Sequence, residues 1–161
     1  MAQWLNVGVK MKPDWSTASA QDVAAIKCWF DEWGGMVATQ RFEEARELFD
    51  PGAIGFGTWM DLVEGLDQLE SKQWRSIWGT IQDFHHETTK TLKVLVSPDR
   101  LMASGLVTWT STGFHEDGEE YERPGRTTSI FVREAVTERW RSIHTHVSLF
   151  RGVPQKSFGS A

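Results

Sequence analysis

The chain has 161 residues, 40% of them hydrophobic, with nine Trp and nine Phe, a formal net charge of −5 and a pI near 5.5. That length predicts one domain, on the usual span of ~100–200 residues, and suffices to bury a core rich in aromatic rings. The acidic balance argues against nucleic acid, whose phosphates call for clustered Lys and Arg, and no run reaches the ~18 apolar residues of a membrane span.

The lone cysteine, Cys28, has no internal disulfide partner, which fits a reducing compartment. Met1 to Ala20 hold no continuous apolar leader segment, so a cytoplasmic location is expected. Residues 1–18 mix Trp4, Pro13, Trp15 and small polar residues without a sustained period and read as an N-terminal arm. Ser19 followed by Asp22 resembles a helix start. Val23, Ile26, Phe30, Trp33 and Val37 then recur every three or four residues, a helical stripe. Gly34-Gly35 interrupts it as a helix end, a kink or a close approach to another element. Cys28 beside Trp29 reads as buried and unreactive. Phe42, Ala45 and Phe49 predict a second helix over 42–49.

Asp50-Pro51-Gly52 is a turn signal. The run 53–59 predicts a short strand whose glycines allow a bulge or close backbone approach. A third helix is predicted over 66–78 from Leu66, Leu69, Gln73 or Trp74, Ile77 and Ile81, with Gly79 as its C-cap. Beyond it the pattern is β. Residues 84–96 alternate, weakly at first and clearly through Leu92, Val94 and Val96, before a turn at Ser97–Arg100. Leu101–Phe114 is rich in Val, Thr and Trp, and Asp117-Gly118 marks a hairpin. Segments 121–133 and 139–150 complete the sheet, and Gly152 and Pro154 end it. Helices first, then strands with hairpin-length links, is an α+β plan. Strand side chains alternate faces. Trp140, Ser142, His144, His146 and Ser148 should therefore share one face of the last strand, and Arg141, Ile143, Thr145, Val147 and Leu149 the other.

Three motifs carry a resemblance: Phe56-Gly-Thr-Trp59 with Val63-Glu-Gly65, Gly125-Arg-Thr127, and Trp140-x-x-x-His144-x-His146-x-Ser148. Over residues 19–154 the chain resembles the NTF2-like superfamily, in its SnoaL-like (ketosteroid isomerase-like) branch, with 155–161 left as a C-terminal tail. The last motif is also similar to the final strand of the calcium/calmodulin-dependent kinase II association domain. The resemblance implies a cone-shaped α+β barrel, three N-terminal helices packed on a curved antiparallel sheet, with a cavity between them. It implies a hydrophobic or carboxylate-bearing small molecule as partner and no cofactor; a homodimer is expected because two-fold dimers are the commonest closed assemblies. It also implies either a cofactor-free isomerase, cyclase or dehydratase using general acid–base catalysis, or a non-catalytic ligand-binding or oligomerisation module.

Within that frame the face of Trp140, His144 and His146 is assigned to the cavity. His144 and His146 are candidates for proton transfer, because imidazole titrates near neutrality; the alternative is a hydrogen-bonded core pair. Asp61, after the first strand, is a candidate base near the cavity mouth, or a solvated loop acid. Trp140, Trp59, Thr128 and His86 are candidate substrate contacts, with Arg126 as the group for an anionic moiety. His-x-His would suit zinc, but no second cluster marks a third ligand and no metal is expected. The tyrosine-plus-acid arrangement of ketosteroid isomerases is not matched, since the only tyrosine is Tyr121 in an acidic stretch. For the non-catalytic reading, the row Ile143, Val147 and Leu149 is the candidate assembly surface.

Overall fold

Ser19 opens the first helix, α1 (Ala20–Ala38): its Oγ accepts the Asp22 N–H at 3.1 Å, which satisfies one of the orphan donors of a helix start. The computed structural model describes residues 18–160, so the arm expected over 1–18 lies, apart from Ala18, outside the described residues. The buried stripe of α1 runs through Asp22, Ile26, Trp29, Phe30, Trp33 and Val37, while Val23 is exposed. Gly34-Gly35 does not stop the helix, which continues to Ala38. Cys28 is exposed rather than buried, because the stripe turns Ile26, Trp29 and Phe30 inward instead. Its thiol donates to Glu32 Oε1 at 3.3 Å, and that carboxylate pushes the thiol pKa up, leaving little thiolate to react.

A short α2 (Phe42–Arg46) leads into β1 (Phe49–Phe56), so the predicted second helix ends early and the first strand starts early. After β2 (Val63–Glu64), the helical run predicted over 66–78 has four parts: α3 (Leu66–Gln68), a π-helical stretch (Leu69–Trp74), α4 (Arg75–Ile77) and a 3₁₀ turn (Trp78–Thr80). The strand predicted over 84–96 is also divided, into β3 (Gln82–His86), the single turn α5 (Thr88–Thr91) and β4 (Lys93–Val96). Here hydroxyls compete with the ladder. Thr91 Oγ1 donates to the Glu87 carbonyl at 3.2 Å and accepts the Thr108 N–H at 3.0 Å, and Thr88 Oγ1 donates to Asp31 at 2.6 Å.

The long β5 (Met102–Phe114) organises the sheet. One of its edges pairs with β6 (Glu120–Glu122) and β7 (Gly125–Val132), the other with β3 and β4. Arg123-Pro124 separates β6 from β7, as a residue without an N–H must interrupt a ladder. β8 (Arg141–Leu149) lies between β7 and β1, giving the order β2-β1-β8-β7-β5-β3. The β1–β8 pair is parallel, in an otherwise antiparallel sheet that curves without closing into a barrel. Helices α1 and 66–80 cover one face of the sheet, which we call inner. Trp29, Phe30, Phe49 and Phe131 meet there edge-on, with centroids 4.8–5.7 Å apart.

The two ends of this layer are closed differently. At the start of α1, buried Asp22 pairs with Arg100 (2.7 Å) and Arg133 (2.8 Å). At the far end of β5 and β7 the segment after Pro154 has no regular structure but straps across. The Phe114 N–H donates to Ser157 Oγ at 3.0 Å, and the Ser157 hydroxyl donates to the Thr80 carbonyl. The Tyr121 hydroxyl donates to the Lys156 carbonyl at 2.9 Å, and Gln155 Nε2 to the Thr58 carbonyl at 3.2 Å.

Candidate functional site

β8 determines which side chains face the helices. Its ladder with β7 pairs His144 with Ile130 but Ser142 with Phe131, so Ile143 is an extra residue in the strand. A bulge of one residue reverses the alternation across it. Ser142 and Thr145 are consequently both buried on the inner face, while His144 and His146 project from the outer face. This corrects the expectation of one shared face for Trp140, Ser142, His144, His146 and Ser148. Trp140 is buried, but its ring lies against the Arg133 guanidinium, 3.9 Å away, at the Asp22 end.

Several of the sequence candidates do come together, on the outer face. His146 stands opposite Thr128 and His144 opposite Ile130, and Arg126 Nε donates to Ser148 Oγ at 3.1 Å. His144 Nδ1 lies 3.0 Å from the Ile54 carbonyl, which requires the proton on that nitrogen. The Phe56 ring meets His144 and His146 edge-on at 5.6 and 5.4 Å. Thr128 and Arg126 therefore keep company with the histidines, away from the cavity they were expected to line. The row proposed for assembly is likewise inverted: Val147 lines the cavity, Leu149 packs against the core and Ile143 is the bulge.

The cavity itself lies between the π-helical stretch and the inner face and measures about 40 Å³. The wider π turn brings Leu69, Gln73 and Trp74 onto one side, a geometry that recurs at functional sites. Trp33, Trp78, Phe84 and Trp109 add aromatic wall, with Thr145 and Val147 from β8. Gln73 ties down the loop after β1. Its Oε1 accepts the Trp59 and Met60 N–H groups at 3.2 and 2.9 Å, and its Nε2 donates to Thr58 Oγ1 at 3.4 Å. Gly57 leaves room for this arrangement, since a Cβ there would displace the Gln73 amide from its present position. The Trp59 side chain is exposed, and Asp61 lies exposed in the same loop; neither lines the cavity.

His86 is buried behind this wall, against the Trp33 and Phe84 rings at 5.2 and 5.1 Å. Nδ1 lies 2.9 Å from the Phe30 carbonyl and so carries the proton, while Nε2 has no partner. Burial pushes its pKa down to about 4, so the ring is neutral at pH 7.

A residue the sequence reading passed over lies in the wall: Arg123, from the turn between β6 and β7, only 1% exposed. One Nη donates to the Gln155 carbonyl at 3.2 Å, Nε has no partner, and burial pushes the guanidinium pKa down. Trp33 and Trp109 line the cavity as well, and their Nε1 atoms are buried without partners. The signal was the parity of β7: Gly125, Thr127 and Ser129 are its inner residues, and the same odd count includes Arg123.

The sequence model of the SnoaL-like domain matches residues 26–152. No curated protein matches the chain. Among solved structures, a candidate calcium/calmodulin-dependent protein kinase II association domain from Xanthomonas campestris is similar at 20% identity. It aligns over 86% of this chain and 92% of its own, with a TM-score of 0.64. An NTF2-like superfamily protein from Salmonella enterica serovar Typhimurium aligns at 15% identity over 81% and 93%, with a TM-score of 0.66. A ketosteroid isomerase-like protein from Erwinia carotovora atroseptica aligns at 14% identity over 82% and 98%, with a TM-score of 0.67. At these identities the likeness is one of fold.

Proposed function

The chain belongs to the SnoaL-like domain family, and from that premise we propose that it binds a small molecule in the cavity between the π-helical stretch and the sheet. One observation carries this reading: an aromatic cavity with three lining residues that each carry a buried N–H donor without a protein acceptor, Trp33 (Nε1), Trp109 (Nε1) and Arg123 (Nε). Buried donors are nearly always paired, and an apolar pocket with a few convergent polar groups is the usual form of a ligand site. The volume of about 40 Å³ limits the occupant to a few heavy atoms, about three water-sized groups. Acid–base turnover by His144 and His146 has no support from this cavity, because both rings lie across the sheet from it. A library of compact polar molecules, followed by thermal shift and by the fluorescence of the wall tryptophans, tests the reading. Binding should be lost in Val147→Phe, which fills the cavity; the absence of any hit in the wild type, or hits unaffected by that variant, would refute it.

A second reading concerns assembly. Ile54, Phe56, Met102 and Leu106 are exposed on the outer face at 43, 41, 50 and 39%. Cross-strand pairing sets Ile54 beside His144 and Phe56 beside His146. Such a face suits a two-fold homodimer. Sedimentation velocity should give a dimer at micromolar concentration and a monomer for Phe56→Glu. A wild-type monomer would dismiss this reading.

A further inference from the structure

We infer that the occupant of the cavity is a compact monocarboxylate of the formate or acetate class, anchored by Arg123. The inference rests on the pocket reading above and specifies its ligand. Arg123 is held from several sides: its backbone N–H donates to the Ser111 carbonyl at 2.8 Å, its own carbonyl accepts the Ser111 hydroxyl at 3.0 Å, and its side chain reaches the Gln155 carbonyl. Among the described residues it makes no ion pair, whereas the buried carboxylates are doubly paired, Asp22 with Arg100 and Arg133, Glu70 with Arg46 and Arg75. A guanidinium cannot shed its charge, and an unpaired buried charge is strongly disfavoured unless an anion meets it.

The wall fits one sign of charge. Among the described residues that line the cavity none is acidic, and the Trp33 and Trp109 indoles add donors, not acceptors. The Arg123 Cζ is 5.8 Å from the Trp109 ring centroid, so guanidinium and indole border the same space. A carboxylate accepts several N–H bonds at once and matches the planar fork of an arginine. Trp74, Ile77 and Val147 line the cavity too, and suit a C–H or methyl group better than a fully hydrated inorganic anion.

Calorimetric and thermal-shift titrations at constant ionic strength with sodium acetate, acetamide, acetamidinium chloride and sodium nitrate test this. Acetate should bind at least tenfold more tightly than the isosteric acetamide, and acetamidinium not at all. Arg123→Gln should weaken acetate at least tenfold and remove its advantage over the amide. If that variant fails to fold, Trp109→Phe, which keeps the ring and deletes one N–H, should weaken acetate several-fold while leaving acetamide nearly unchanged. Equal binding of acetate and acetamide would overturn the carboxylate inference but leave the pocket reading standing. Nitrate matching acetate would overturn the carboxylate preference. No response to any of the four, nor to a wider set of compact neutral molecules, would remove both readings.

Discussion

Gly34 of α1 packs directly on His86 of β3: a Cβ on the glycine would stand 3.2 Å from His86 Nδ1. The imidazole has no freedom to yield, because that nitrogen is bonded to the Phe30 carbonyl at 2.9 Å. The absent side chain therefore sets how closely helix and sheet approach behind the cavity. Gly34→Val should lower stability by about 2 kcal/mol, the usual scale of overpacking, despite removing a glycine from a helix. The midpoint of urea unfolding measures this; an unchanged midpoint would mean that helix and strand can separate freely.

His86 also sets a pH dependence. Its pKa falls from the ordinary 6.5 to about 4, chiefly through burial. The unfolded chain thus binds the proton more readily, and stability must fall as the pH drops from about 6.5 to about 4. In His86→Phe that contribution to the slope should vanish, even if the variant is less stable throughout. Melting temperatures of both proteins across this range, at constant salt, provide the comparison.

Asp22 acts in a lower window. Arg100 first, then Ser19 and Arg133, hold its carboxyl at about 2, below the ordinary 3.8 and against the opposing effect of burial. The stabilisation is complete above about pH 4 and is lost as the pH falls toward about 2. Asp22→Asn should be less stable than the wild type by about 3 kcal/mol at pH 7, since Arg133 would be buried without its anion. The difference should shrink on acidification to pH 2. A pH-independent difference would assign the effect to packing alone.

The sequence was most informative where a local rule decides the outcome. Ser19 with Asp22 resembles a helix start and caps α1, the spacing of Ile26, Phe30, Trp33 and Val37 marks its buried face, though Val23 of the same stripe is exposed, and Asp117-Gly118 turns the chain. It was least informative where two partners must be satisfied together. β8 is squeezed between β7 and β1, and both ladders shift near Ser142 and His144; nothing in Trp140-Arg-Ser-Ile-His reveals that. Arg123 was hidden for a related reason. Beside Pro124 and after Glu120 and Glu122 it reads as one more surface charge unless the parity of β7 is carried back across the proline, and its contact with the Gln155 carbonyl of the strap is not legible in the sequence. The π stretch at Leu69–Trp74 keeps an ordinary helical pattern in sequence while rotating Gln73 and Trp74 together into the cavity.

The extra residue at Ile143 means that a spaced signature and a spatial site can part company within one strand. Two chains could share Trp-x-x-x-His-x-His letter for letter, yet present their imidazoles to opposite sides if only one accommodates residue 143 as a bulge. Removing Ile143 would leave a regular ladder, with Ser142 still opposite Phe131 and His144 still opposite Ile130, so both halves of the strand would keep their faces; pairing residue 143 as an ordinary ladder position is what would turn half the strand over, because the alternation would then set Ser142 and Thr145 on opposite faces. The motif is thus a statement about spacing along a thread, and its chemistry is assigned only when the neighbouring strands have fixed which way the thread is turned.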